Sequence, residues 1–525
     1  MNNIKSLRII GLKKFKDVKI EFNEHVNIIV GENEAGKSTI LEAIDIVINQ
    51  LYKNSDKSII GELINKENID EFKKNPNIER LPKIYIELEL NLPTTNIKNL
   101  EYSGLEYLDS EQDVKSGITF KCEIDKDSED EILGFINSGK IPYEYYRMQW
   151  KTFGGAQYTA IRKPIKYLSI NTSNIESNNS FNYYNKSLFH NKYDENRRLS
   201  IKANYISQIE GLLSNISEMD DIDEKRKFGI NTKKVVLENI ITILDEGISI
   251  ENKGKGMENL IKTKMALEKS SNNNIISIEE PENHLSHSNL RKMIKTIEEN
   301  EENGQIIITT HNSLIISSLD LRNVIFLNEA KPAVLKDVDE KISKFFLKSD
   351  NNKLMEFILS KKIILVEGNT EYMLVPDFYE RIFAESMDKS NIYIISVAGL
   401  GYKNYIEIAK ILDKKVAVIT DNDKNQEKID EISDFNQKNE NIKIFTDANI
   451  NRWTIEVCLY EDNRKKMEQI IDVNSRYNYL FNGEDYGKVL GKMLNNKADT
   501  AYQLLNEDDI VVPNYIKEAM EWIRG

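Results

Sequence analysis

Cysteine is nearly absent: Cys122 and Cys458 are the two in 525 residues, and they form no CxxC pair. That excludes a disulfide framework and a cysteine zinc module, and it fits a reducing, cytoplasmic compartment. Long apolar runs are missing too. None approaches the ~20 residues that a membrane-crossing helix needs, and the opening MNNIKSLRIIGLKK has no signal-like apolar core. Positive charge is short, with 71 Lys and Arg against 85 Asp and Glu, a formal net charge of −14. That argues against non-specific nucleic-acid binding through overall charge, and leaves open a local basic groove or a metal-gathering acidic site. There is no 20–50-residue repeat and no long heptad run, which argues against a solenoid or an extended coiled coil.

What is present is a chain too long for one core, so two or three domains are expected. Its 40% hydrophobic and 30% charged residues describe a soluble globular protein. Val18, Ile20 and Phe22 alternate with Lys19 and Glu21, and Ile84, Ile86, Leu88 and Leu90 alternate with Tyr85, Glu87 and Glu89. Both patterns predict half-buried strands. HVNIIVG (25–31) predicts a more buried strand, followed by helical spacing from Ile40 to Ile48. The Asn/Ser-rich stretch 171–198 reads as a loop, and 203–249 as helical, so an inserted, mainly helical region is expected over 96–235. Apolar strands resume at 274–281 and 304–311, a polar stretch over 329–353 reads as a junction, and strand–helix alternation from 361 suits a parallel sheet.

Two groups of residues carry chemistry. GENEAGKS, Gly31 to Ser38, completes G-x-x-x-x-G-K-[ST] between a strand and a helix. Its backbone N–H groups and the following helix N-terminus suit phosphates, Lys37 suits the β/γ-phosphates, and the Ser38 hydroxyl suits Mg²⁺. Asn33, Gly36 and Thr39 complete the expected ATP contacts. IISIEEPE (275–282) ends an apolar strand on paired acids: Glu279 for Mg²⁺ and Glu280 to orient water. IIITTH (306–311) ends another on His311, placed to sense a γ-phosphate. His284 and His287 lack a third ligand nearby and read as packing and loop residues.

These motifs, with the opening LRIIGLKKFKDVKIEF, resemble the ABC-type ATPase head shared by RecF, SMC and OLD-family proteins. The signature region is best matched by NKGKGMEN (252–259), through Gly254 and Gly256. Lys253 replaces the usual serine there, and Glu279 stands where many such ATPases have Asp. ATP that is sensed more than turned over is one implication.

The second group is acidic. KKIILVEGNTEYMLV (361–375) ends an apolar strand on Glu367–Gly368, and KVAVITDND (415–423) ends another on Asp421 and Asp423. In a parallel sheet such strand ends line one edge, so these carboxylates converge. Converging carboxylates repel unless cations lie between them, and hard oxygens around a phosphodiester suit Mg²⁺ or Mn²⁺. Order and spacing favour a Toprim domain over solvated turns.

VEGNTE resembles the OLD-family version of Toprim, which implies Glu371 as a further metal acid. NRWTIEVCLY (451–460) resembles that family's later motif, implying Glu456 as a metal ligand, and Lys497 matches a lysine that stabilises phosphate charge.

The expected architecture is α/β: an ATPase N-terminal lobe over 1–95, the insertion over 96–235, a C-terminal lobe over 236–350, and a Toprim nuclease domain over 355–525. The resemblance implies an ATP-regulated, metal-dependent DNA endonuclease of antiphage defence, a homodimer or larger assembly, and a UvrD-like helicase or a retron reverse transcriptase as possible partner. A RecF-like clamp without cleavage is the alternative. A topoisomerase or primase is disfavoured by the want of a marked nucleophilic tyrosine and of a zinc module.

Overall fold

The computed structural model describes residues 2–525 except 94, 109–112, 126–128, 161–162, 172–185, 187–188, 191, 215–220, 224–225, 228–236, 238–239, 269–274, 329–331, 349–352, 398–400, 475–478, 506 and 508. Two compact units result. One comprises Met1–Leu319 with Asn323–Lys336, the other Asp320–Arg322 with Asp337–Gly525. The division falls at 336/337, ahead of the 350/355 boundary expected from the polar junction. The helix Glu340–Lys348 belongs to the second unit because Phe346, on its apolar face, packs edge-on against Tyr405.

The first unit holds two sheets. A mostly parallel one runs in the order 333–334, 324–327, 26–31, 305–310, 275–279, 167–171, with only the first pair antiparallel. Strands Val26–Gly31, Ile275–Glu279 and Gln305–Thr310 are buried along their whole lengths, as parallel strands covered on both faces must be. The other sheet is antiparallel and contains Asn3–Leu12, Phe15–Glu21, Ile84–Asn91, Lys115–Ile124 and Tyr146–Thr152. The buried amide of Gln305 links the two: Nε2 donates to Ile4 O and Asn23 O, and Oε1 accepts from Ile4 N.

Three expectations need correction here. Residues 96–235 are not mainly helical from their start. Lys115–Ile124 and Tyr146–Thr152 extend the antiparallel sheet, driven by buried Ile118, Phe120, Cys122 and Trp150, and the helical part is carried by Glu129–Asn137 and Glu195–Ser214. The helical reading of 203–249 ends at Ser214 among the described residues, where 244–245 and 248–249 pair as a hairpin around Gly247 at φ 81°. The strand Ile84–Asn91 is covered on both faces at its start, since Tyr85 and Glu87 are buried and Tyr85 donates to Glu87. Most of the Asn/Ser-rich loop 171–198 lies outside the described residues.

The second unit is built on a four-stranded, wholly parallel sheet in the order 392–396, 362–366, 415–419, 442–445. Ile363, Ile364, Leu365 and Val366 are fully buried, each contributing roughly 1.5–3 kcal/mol by leaving water. Helices Asn369–Phe383, Tyr402–Ile411, Gln426–Lys438 and Asn514–Arg524 accompany it. The helix Asn514–Arg524 packs on the 415–419 and 442–445 strands through buried Ile516, Ala519, Met520 and Ile523.

Candidate functional sites

In the first unit, register sets the site. Val30 pairs with Thr310, and Thr309 with Glu279, so Gly31, His311 and Glu280 leave the sheet at one edge. The phosphate loop then turns through Glu34 at φ 64° and Gly36 at φ 100° into the helix Lys37–Ile48. A side chain at Gly36 would be strained and would meet the Phe15 ring at 2.5 Å. The far end of that helix is capped from the other sheet: Trp150 Nε1 donates to Ile46 O and Tyr158 OH to Ile48 O, both at 2.7 Å.

Lys37 is buried, and its ammonium donates to Gly31 O at 2.9 Å and Glu32 O at 3.1 Å. Burial lowers its pKa, against the opposing charges of Glu280, Glu282 and Glu279. Those three acids act on the Lys37 ammonium, and the sequence singles out two of them, Glu279 and Glu280. Glu280 sits at φ 44°, and its Oε2 accepts from Asn283 at 2.9 Å. His311 Nδ1 lies 3.6 Å from Glu280 and 3.5 Å from Glu282. The sequence does not single out Glu282, although its place in EEPE is the signal for it. Its Oε1 accepts from Thr310 Oγ1 and from His311 N, tying the histidine's strand end to the acid loop. Asn33 and Ser38 are exposed on the loop, and Thr39 is buried behind it.

Gly254, at φ 82° with open space around it, precedes the helix Lys255–Glu268, and Gly256 lets that helix approach His284 O, where a Cβ would stand 2.1 Å away. His284 thus acts in loop packing, and His287 begins the next helix.

In the second unit, Val366 pairs with Ile419, so Glu367 and Thr420 emerge side by side. Thr420 Oγ1 donates to Glu367 Oε2 at 2.8 Å. Asp421 follows, and its Oδ1 accepts from Ile455 N, the start of the helix bearing Glu456. Glu456 is 1% exposed yet fully partnered. Its oxygens accept from Thr370 at 2.9 Å and Thr454 at 2.7 Å, and Lys497 Nζ lies 3.0 Å away. Glu371 accepts from Gly368 N, capping its own helix while staying buried.

These groups also act on one another through their charges. Burial, then Glu456 and Glu367, push Glu371 up to about 7. Burial, then Glu371 and Glu456, raise Asp421 well above the carboxylate range. Burial pulls the Lys497 ammonium down, but Glu456, Asp421 and Glu371 outweigh it and the net shift is upward. Glu367, Glu371, Asp421, Glu456 and Lys497 are thus brought together. Asp423 is not: it is an exposed carboxylate paired to Lys428. Among the described residues no group of three or more His, Cys, Asp or Glu side chains is arranged to hold a metal ion. The donor set nonetheless suits a hard divalent cation: crowded oxygen ligands, buried at Glu371 and Glu456 and half-buried at Glu367 and Asp421, whose mutual repulsion a cation relieves.

The supporting residues escape sequence reasoning. Thr370 and Thr420 have only adjacency to Glu371 and Asp421 as a signal. Asn422, 1% exposed, donates to Asp447 O, Asn449 O and Arg452 O at 2.9, 3.0 and 3.2 Å and so pins the loop that leads to Glu456. Arg452 braces the same loop through Asp447 and a two-pronged pair with Asp462.

Comparisons with known proteins divide along the same line. The AAA ATPase domain family matches residues 3–152 and 156–316, and the "Overcoming lysogenization defect protein-like, TOPRIM domain" family matches 358–423. Endonuclease GajA of Bacillus cereus is 24% identical over 695 residues, covering 99% of this chain and 98% of that protein. Old nuclease of Escherichia phage P2 is 28% identical over 145 residues, 26% of this chain and 25% of that one. The replication and repair protein RecF of Clostridium kluyveri is 32% identical over 108 residues, 20% of this chain and 29% of its own length. A RecF-like clamp without cleavage leaves the Toprim unit unexplained. The chain belongs to the AAA ATPase domain family and joins that ATPase head to an OLD-like Toprim domain.

Proposed function

We propose that this protein is a divalent-metal-dependent DNA endonuclease whose Toprim unit cuts phosphodiesters under the control of ATP held by the head. The carrying observation is the convergence of Glu367, Glu371, Asp421 and Glu456 with Lys497 at the carboxyl edge of a parallel sheet. The names of GajA and the Old nuclease support the reaction type.

Bound Mg²⁺ or Mn²⁺ supplies charge stabilisation and a water activated for attack. Glu367, Asp421 and Glu456 are the donors to it, with Glu371 adjoining, and Asp423 lies at the rim. Thr420, Thr370 and Thr454 hold carboxylates in place through their hydroxyls. Lys497 faces the acids with an ammonium whose charge is reinforced, which suits charge developing on a phosphate.

In the head, the loop around Asn33, Gly36 and Thr39, with Lys37 and Ser38, takes the phosphates. Glu279 serves the ion, Glu280 orients water, and His311 reports on the γ-phosphate through Glu282. Gly254 and Gly256 begin a helix suited to contact nucleotide on a second copy, so the working form is a homodimer or larger. A cytoplasmic antiphage role, beside a UvrD-like helicase or a retron reverse transcriptase, is the setting this reading favours.

Plasmid conversion with Mg²⁺ or Mn²⁺ across an ATP titration tests the proposal. Cleavage by the wild type and its loss in Glu367→Ala are expected. Intact plasmid under every metal and nucleotide condition contradicts it.

A further inference from the structure

Asp423 stands apart because the backbone turns it away. Asp423 and Lys424 adopt φ of 55° and 57° in succession with no glycine, a left-handed turn held by Asn422 Oδ1 accepting from Lys424 N. The groups acting most strongly on Asp421 are Glu371, Glu456, Lys497 and Glu367, without Asp423. Asp423 instead borders a cavity of about 610 Å³ between helices 402–411 and 426–438. Lys428 reaches it from the first turn of the latter helix, with 14% of its side chain exposed. Its Nζ lies 2.7 Å from Asp423 Oδ2, 2.5 Å from Asp421 O and 3.2 Å from Thr420 Oγ1. An ammonium has three N–H donors, and all three are engaged by the TDND motif.

We propose that Lys428 is a tethered counter-cation of Asp423, which a divalent ion must displace before Asp423 can serve it. The inference rests on the nuclease reading above. It follows from the contact set: a carboxylate oxygen held by an ammonium cannot offer the same lone pair to a metal, and both partners are cations competing for one anion. A purely structural lysine, tying its helix to the motif, makes the opposite prediction. Removing it loosens the motif and weakens metal binding, whereas removing a competitor strengthens it. The sign of the change separates the two roles.

Calorimetric titration of the full chain with Mn²⁺ alone reads that sign. Lys428→Met is expected to bind Mn²⁺ roughly fivefold more tightly, the scale of one ion pair with a half-exposed partner. Lys428→Arg, which keeps the charge, is expected to stay near wild type, and Asp423→Asn in the Met background is expected to erase the gain. Unchanged or weaker binding in folded Lys428→Met overturns the proposal.

Amine labelling of the wild type, quantified by mass spectrometry, gives an independent answer if the Met variant does not fold. Saturating Mn²⁺ is expected to release Lys428 and raise its labelling, and equal protection with and without Mn²⁺ overturns the inference. Failure of the wild type to bind Mn²⁺ or to cut DNA at all would instead bring down the nuclease reading itself.

Discussion

The two units treat charge in opposite ways. The head prepares for anions with backbone: glycines turn N–H groups outward, and the cation, Lys37, donates to two carbonyls of its own loop. The Toprim unit gathers anions and satisfies them with side chains, surrounding buried Glu456 with two hydroxyls and an ammonium. A phosphate site made of backbone is written in one contiguous stretch. A carboxylate site assembled from strand ends and helices is spread over residues 367 to 497. Each site is therefore expected to fail differently when one residue is changed.

The sharpest break comes from Asp421→Ala. Metal-supported DNA cleavage is expected to fall by roughly 10³ or more, while ATP affinity, measured by fluorescent-nucleotide binding, stays unchanged. Lys37→Ala is the mirror experiment. ATP binding is expected to weaken roughly hundredfold through loss of charge-assisted contacts, with Mn²⁺ affinity retained. If either substitution abolished both properties, the two sites would not be separable.

A smaller effect tests the scaffold of the carboxylate site. Asn422→Ala leaves buried carbonyls of Asp447, Asn449 and Arg452 without their donor. A loss of about 2–3 kcal/mol in Toprim stability is expected, read by denaturant unfolding, with ATP binding intact.

The head offers a subtler counterpart. Asp45, half-buried on the phosphate-loop helix, has its pKa raised from 3.8 to about 6, by desolvation first and against the Asn49 hydrogen bond and Lys163. A raised carboxyl means the folded state holds its proton more tightly than the unfolded one. Stability from this group is thus full below about pH 4 and lost as pH rises towards 6. Asp45→Asn removes that titration. The unfolding free energy of the variant relative to wild type, read by denaturant titration at each pH, is expected to improve between pH 4 and 6.5 by an amount on the order of 1–3 kcal/mol, and a flat difference contradicts it.

Legibility followed the same contrast. Strands at 26–31, 275–279, 305–310, 362–366 and 415–419 were readable because each is a continuous apolar run ending in a motif. Strands 115–124 and 146–152 were not, since their partners lie far along the chain and only long-range pairing reveals that Trp150 caps the phosphate-loop helix. VIFL at 324–327 is too short a run to separate from a junction, yet it flanks the central strand 26–31. In the carboxylate site the acids were visible, but the hydroxyls of Thr370 and Thr420 and the amide of Asn422 follow no period. Asp423 shows the limit most clearly. Spacing places it with Asp421, and two left-handed residues hand it to Lys428.

Metal-dependent cleavage by the second unit requires that the Toprim acids form a metal centre. Anomalous diffraction from crystals of the protein soaked in Mn²⁺ asks this directly. The expected result is an anomalous peak bounded by Glu367, Asp421 and Glu456. Peaks confined to other acidic surfaces, with this cluster empty at saturating Mn²⁺, would contradict it.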